Sequence, residues 1–300
     1  MAPTLSADSV VLLTGGTSGI GRNAVRRLAE AGATVVTVGR DTAAGRDIER
    51  RVTAETPGTV EFRHVDLSVQ ASVRELAREF ASEYDRLDVL VHNAGMSSRR
   101  RRVSDDGLEM TIAVNHLAPY LLTHELLELL DSTPAARVVV TASSVHHRAS
   151  LNFDDLQAER AYDALEVYAR SKLANVAFTI ELAERLEGAT AVDGVTANCV
   201  HPGFIPTTGL YRDVGTVARL FTRAAAIIPG VGTRESDGAR RLVAVATADE
   251  YGDRSGLYVG GDGPEEPSAE AADPKVRGRL WRASAELVGV DPAWPLANGR

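Results

Sequence analysis

Short β-rich apolar runs alternate with stretches of helical spacing through the first 200 residues, and this rhythm limits the fold more than any other feature of the chain. The candidate strands are Val10–Thr14, Thr34–Val38, Thr59–His64, Leu87–His92, Arg137–Ala142 and Thr196–Val200. Between them lie helical patterns at Ile20–Ala31, Ser72–Glu83, Gly107–Leu130 and Glu166–Leu186. A helix near Glu235–Ala248 leads to a seventh strand, Leu257–Val259. Parallel neighbours need crossovers of about a dozen residues or more, and these helices supply them. Right-handed crossovers place successive helices on both faces. The expected architecture is α/β: a single Rossmann-type doubly wound parallel sheet of about seven strands with helices on both faces, one domain over residues 1–300. Two segments leave the rhythm. Residues 204–232 are apolar but broken by Pro206, Pro229 and glycines, and residues 260–300 form a C-terminal extension that ends in a helix at about Pro274–Val288.

The first strand runs straight into Thr14-Gly15-Gly16-Thr17-Ser18-Gly19-Ile20-Gly21 and then into a helix. Glycines at this joint let the backbone turn tightly and approach a pyrophosphate, which rests on free N–H groups at a positive helix end. At the end of the second strand a dinucleotide site reads the adenine ribose. A carboxylate there would bind the 2′-hydroxyl and repel a 2′-phosphate. Here the strand ends in Gly39-Arg40-Asp41. The acid position falls on Gly39, and the Arg40 guanidinium suits a phosphate, so NADP(H) is expected over NAD(H). A competing reading makes Asp41 the ribose ligand, or only the N-cap of the next helix.

A second cluster suits proton transfer. Tyr168 and Lys172 are four residues apart, so one helical face carries both phenol and ammonium. A nearby cation favours the phenolate, and such a phenol can donate and accept a proton. Tyr162, six residues earlier, is a decoy. Ser143 closes the fifth strand at the carboxyl edge, where such folds place their ligands.

Taken in order, the glycine loop, Asn93-Ala94-Gly95, Asn115, Ser143, Tyr168/Lys172 and Pro202-Gly203 resemble the short-chain dehydrogenase/reductase family in its classical form, over about residues 8–262. The phrases Asn115 to Thr123, Tyr168 to Asn175, His201-Pro202-Gly203 and Arg279 to Ser284 look most like its retinol dehydrogenase and protochlorophyllide reductase group. The resemblance implies that Tyr168 protonates a carbonyl oxygen during hydride transfer. Lys172 assists it and holds the nicotinamide ribose, Ser143 hydrogen-bonds the substrate oxygen, and Asn115 holds a water that relays protons to Lys172. It further implies a cofactor site made of Gly15, Thr17, Ser18, Gly19, Ile20, Gly21, Arg40, Tyr168 and Lys172, with Asp66 and Leu67 at the adenine. Asn93, Ala94 and Gly95 would sit by the adenine ribose, and Pro202, Gly203 and Thr207 at the nicotinamide. Ser143 is preferred to Ser144 because 25 residues separate it from Tyr168, as in that group. Residues 204–232 would form a substrate lid, and their apolar content suits a hydrophobic carbonyl compound.

The expected activity is therefore NADPH-dependent reduction of a hydrophobic ketone or aldehyde to an alcohol. Reduction of an activated carbon–carbon double bond and NAD(P)-dependent alcohol oxidation are the enzymatic alternatives. A cofactor-binding scaffold without turnover is the alternative of another class. A net charge of −8 weighs against nucleic acid and anionic membranes. Cys199 is the single cysteine, so there is no disulfide and no multi-thiolate metal site within the chain; no metal is expected. No apolar stretch is long enough for a membrane span and the start lacks a signal pattern, so a cytoplasmic location is expected. The resemblance suggests a homodimer or homotetramer through the helices at Gly107–Leu130 and Glu166–Leu186. Arg99 to Arg102 follow the fourth strand and read first as a solvated loop, with substrate contact the alternative.

Overall fold

The computed structural model describes residues 5–188, 194–205 and 232–294. Most of the segment expected to form a lid, Thr207 included, lies outside the described residues.

Strand β1 (Val10–Thr14) shows how the sheet is built. Alternate side chains leave opposite faces of a strand. Val10 and Leu12 join one buried cluster, while Val11 and Leu13 join the other. Strands β2 (Thr34–Gly39), β3 (Thr59–His64), β4 (Val89–His92), β5 (Arg137–Thr141), β6 (Thr196–Val200) and β7 (Tyr258–Val259) pair in parallel in the order β3-β2-β1-β4-β5-β6-β7. An eighth strand, β8 (Pro264–Glu265), adds antiparallel to β7. The seven-strand expectation is thus short by one, because the Gly-rich stretch after β7 turns back on itself rather than looping away.

Helices cover both faces. On one side lie α1 (Gly19–Glu30), α2 (Thr42–Glu55) and, after β6, the helix Glu235–Thr247. On the other lie α3 (Gln70–Glu83) and the succession α4 (Met110–Ile112), a wide π turn (Ala113–Leu117), α5 (Ala118–Glu125) and α6 (Leu127–Asp131). The single helix expected over Gly107–Leu130 is therefore broken. The π turn ends where Pro119 follows, a residue without an N–H to give to the preceding turn. Helix α7 (Ala164–Gly188) completes this face; the helix Glu235–Thr247 is α8, and the extension holds α9 (Ala269–Ala272) and α10 (Pro274–Val288).

The last helix has a packing role. Trp281 and Trp294 each lie 5.0 Å from the Tyr120 ring on α5, and Trp281 stacks on Phe178 of α7 at 5.8 Å. Trp294 Nε1–H donates to the Tyr120 hydroxyl at 2.8 Å. The C-terminal extension thereby covers the Tyr120 and Phe178 side of α5 and α7. Among the described residues no helix is long and apolar enough to cross a membrane.

Candidate active site

Strands β1 and β4 are neighbours although β2 and β3 lie between them in sequence, so the chain changes direction there and opens a crevice at their carboxyl ends. The glycine loop fills that crevice with backbone. Gly15 has φ of +76°, and a Cβ there would stand 2.8 Å from Ala94 Cα. A Cβ at Gly21 would stand 2.1 Å from the Gly15 carbonyl oxygen. Only glycine leaves this cradle open. The Asn93 amide donates to the carbonyls of Thr14 and Gly15, both at 3.1 Å. The Thr14 hydroxyl accepts from the N–H groups of Asn93 and Ala94, again at 3.1 Å. Sequence reasoning missed Thr14, although a threonine closing the strand before the loop was visible.

The adenine side follows. Gly39 ends β2, and a Cβ there would meet Thr17 at 3.2 Å, so no carboxylate side chain occupies the ribose position. Arg40 is exposed, its Nη1 4.0 Å from Asp66 Oδ2. Burial works against ionisation of Asp66. Bonds from the Ser68 N–H and hydroxyl, with the Arg40 charge, outweigh it and hold the carboxyl below its ordinary range. Asp41 accepts from Ala44 N–H at 3.0 Å and caps α2, the second of the two competing readings. Leu67 is buried beside Asp66.

The proton-transfer residues meet across the sheet edge. Helix α7 presents Tyr168, Ser171, Lys172 and Asn175 on one face. Lys172 is buried, and its Nζ donates to the Thr141 carbonyl at 2.8 Å, at the end of β5. Burial pulls the ammonium down to about 8. The same Nζ lies 5.8 Å from the centre of the Tyr168 ring. An ammonium has three donors, and Thr141 is the one acceptor recorded for it among the described residues. That spare capacity, beside the open glycine cradle, fits the ribose diol of a dinucleotide.

Asn115 stands in the π turn. Its Oδ1 accepts from Met96 N–H at 2.8 Å, and its Nδ2 donates to the Met96 carbonyl and the Ser171 hydroxyl, both at 2.9 Å. It fastens the loop after β4 to α7. Ser171 was not singled out from the sequence, although it lies inside the Tyr168–Lys172 phrase. A Cβ at Gly95 would stand 3.6 Å from both Asn115 Oδ1 and Lys172 Nζ, so these two groups border one small space.

Ser143 falls two residues beyond β5, half-buried, at the N-cap of a 3₁₀ turn (Ser144–Arg148) that packs on α7; Ser144 is exposed. Gly203 has φ of +96°, and its N–H donates to His201 Nδ1 at 3.3 Å, while Pro202 is buried. Arg99 and Arg100 are exposed, whereas Arg101 is tied to the Gln157 carbonyl at 3.1 Å and Glu159 at 3.5 Å. The decoy Tyr162 donates to the Ser98 carbonyl at 2.7 Å. Cys199 is buried, its thiol pushed up to about 12 by burial. Among the described residues no three His, Cys, Asp or Glu side chains gather as a metal site.

Residues 9–216 match the family model of the short chain dehydrogenase. Retinol dehydrogenase 14 of Mus musculus is 35% identical over 96% of this chain and 88% of its own length. Retinol dehydrogenase 12 of Homo sapiens is 37% identical over 94% of this chain and 86% of its own. A crystal structure of an uncharacterized protein from Mycobacterium Paratuberculosis superposes with a TM-score of 0.77 at 30% identity, covering 97% of this chain and 96% of that one. The Pseudomonas aeruginosa RhlG/NADP active-site complex gives 0.67 at 28% identity over 87% and 97%. With a glycine cradle at the β1–β4 crevice and a Tyr168–Lys172 pair on α7 behind these matches, the chain belongs to the short-chain dehydrogenase family of oxidoreductases.

Proposed function

We propose that this protein reduces a hydrophobic aldehyde or ketone to an alcohol with NADPH. The observation that carries the reading is the buried Lys172 ammonium, 5.8 Å from the Tyr168 ring and short of acceptors, at the carboxyl edge of β5. Bound reduced nicotinamide supplies the hydride. Lys172 would hold its ribose hydroxyls, Gly15 to Gly21 its pyrophosphate, and Asp66, Leu67 and Asn93 to Gly95 the adenosine. Pro202, Gly203 and Thr207 would line the nicotinamide.

Tyr168 gives its proton to the substrate oxygen as that oxygen gains charge, and Lys172 stabilises the phenolate left behind. The Ser143 hydroxyl donates to the same oxygen. Asn115 Oδ1 keeps one lone pair beyond its bond from Met96, so a water between it and Lys172 can pass protons onward. The vacant ribose-acid position at Gly39, with Arg40 beside it, favours the 2′-phosphate of NADPH. The NADP in the RhlG complex supports the same cofactor, and the relatives named retinol dehydrogenases support a hydrophobic alcohol–carbonyl pair. A hydrophobic substrate fits the molecule's exposed large apolar side chains. Among the described residues these are Val103 after β4, Leu165 in the first turn of α7 and Phe204 after β6.

The test is turnover of retinaldehyde and simpler aldehydes with NADPH, beside the Tyr168→Phe variant. The variant should bind NADPH as the parent does and lose about 1000-fold or more in kcat. Undiminished turnover by Tyr168→Phe, or a parent chain that binds NADPH and reduces nothing, defeats the reading.

A further inference from the structure

Ser143 is held through its backbone rather than its side chain. Among the described residues its hydroxyl has one contact, a 3.5 Å approach from Val145 N–H. Its carbonyl receives two hydrogen bonds from a single residue, His146: the backbone N–H at 3.1 Å and the ring Nδ1 at 2.8 Å. A carbonyl only accepts, so Nδ1 carries the proton. The ring is wholly buried, and burial lowers it to about 4, so it is neutral near pH 7 and Nε2 keeps a lone pair. That lone pair meets the Ser268 backbone N–H at 3.1 Å. Both nitrogens are matched in this tautomer and neither is matched in the other. Tyr258 packs edge-on at 4.7 Å and His147 lies at 4.0 Å, which fix the ring plane.

Ser268 belongs to the C-terminal extension, where its hydroxyl accepts from Ala271 N–H at 3.3 Å and caps α9. One residue into that helix, Glu270 Oε1 accepts from Leu151 N–H at 2.7 Å and from the Ser150 hydroxyl at 3.3 Å. The extension therefore holds the Ser143 loop within its 3₁₀ turn, at His146, and just beyond it, at Ser150 and Leu151. With both ring nitrogens engaged, His146 has none left for a substrate proton.

We infer that His146 is a positioning residue for Ser143: as the Nδ1–H tautomer it bridges the Ser143 carbonyl to Ser268, so the extension after β8 sets where the Ser143 hydroxyl stands. This rests on the reading of Ser143 as the donor to the substrate oxygen.

Two substitutions separate the two ends of the bridge. In His146→Asn the amide places an N–H donor near the Nδ1 position and nothing near Nε2. In His146→Gln the amide oxygen reaches the Nε2 position, while the Nδ1 donor is lost. Either substitution opens the bridge, so both should lose about tenfold or more in kcat, with NADPH affinity within about twofold for both. At Ser268, φ is −61°, which proline accepts. Ser268→Pro deletes the N–H and the cap, Ser268→Ala the cap alone, so the excess loss of kcat in the proline variant reports the bridge. Parental kcat in either the Asn or the Gln variant, or kcat losses that only track lost NADPH binding and lost melting temperature, overturn the inference. Long-range ¹⁵N–¹H spectra of the parent imidazoles read the bridge without turnover. An Nδ1–H pattern for His146 at neutral pH supports the bridge, and an Nε2–H pattern overturns it. A parent that binds NADPH but reduces no carbonyl defeats the activity reading instead, and the tautomer then decides the bridge alone.

Discussion

Two buried cations meet strand β5, one at each end, and they are kept on different terms. Arg137 opens the strand, wholly buried, with Nη1 donating to the Ala248 carbonyl at 2.8 Å and the Val245 carbonyl at 3.5 Å. These carbonyls lie at the C-terminus of α8, where the helix dipole favours a cation, and the Asp249 charge helps. Among the described residues its Nε and Nη2 reach no acceptor. Lys172 meets the far end at Thr141. Burial lowers both cations, but among the described residues no carboxylate or helix terminus offsets it for Lys172. A desolvated charge with compensation reads as architecture. One without it, beside an open cradle, is held ready for a ligand.

The comparison is sharpest if the two are removed in turn. Lys172→Met should cost about 100- to 10,000-fold in kcat, and at pH 7 it should raise the stability of the cofactor-free protein by about 1 kcal/mol or more. The sign follows from proton linkage. The unfolded chain keeps the Lys172 proton up to about 10.5 and the folded chain releases it at about 8, so parental stability rises with pH between these values. Urea melts at pH 7 and pH 10 should show the rise in the parent and its absence in Lys172→Met. A variant less stable than the parent at pH 7 would break the distinction.

Arg137→Met should act in the opposite sense. The carbonyls at the end of α8 lose their donor, and stability should fall by about 1–2 kcal/mol while kcat stays within about twofold. Collapse of turnover in a variant that still melts cooperatively would show that both ends of β5 serve the chemistry.

Buried histidines offer an intermediate effect. Burial lowers His92 to about 3, and His116 and His146 to about 4. Each folded-state value lies below the ordinary one. The associated stability is full above about 6.5 and is lost as pH falls toward about 4. Acid titration by circular dichroism should show cooperative loss in that window, and His92→Gln should narrow it. A parent whose stability is flat from pH 6.5 to 4 would contradict neutral burial of these rings.

These contrasts also explain what the sequence made legible. The cradle was readable because Gly15, Gly19 and Gly21 act through their own backbone, and local spacing carries that information. Tyr168 and Lys172 were readable for the same reason, being one helical turn apart. Thr141 and Thr14 were not, because they act through long-range partners that no periodicity marks, and Ser171, though on the same helical face, takes its role from Asn115, 56 residues away. The turn-back of β8 was hidden by two-residue strands, and the break at the π turn by an apolar pattern that continues straight through it. Arg137 looked like any strand-initial arginine. Its role depends on the end of α8, 108 to 111 residues away in sequence.

A third cation, Arg40, tests the other half of the site and should give the smallest effect. Its side chain is 59% exposed, and the neighbouring Asp66 carboxylate at 4.0 Å competes for its charge. Water and salt screen such a group, so an attraction to a 2′-phosphate is modest. Arg40→Ser should weaken NADPH binding about tenfold, or about 1.4 kcal/mol, and leave NADH binding nearly unchanged. The loss should shrink as salt rises, since it is electrostatic in origin. Arg40→Asp should go further, placing a carboxylate next to the ribose position and reversing the preference toward NADH. If both variants keep the parental ratio of NADPH to NADH affinity, phosphate is not read at Arg40. The absence of an acid at Gly39 would then express only the close packing of Thr17 above it.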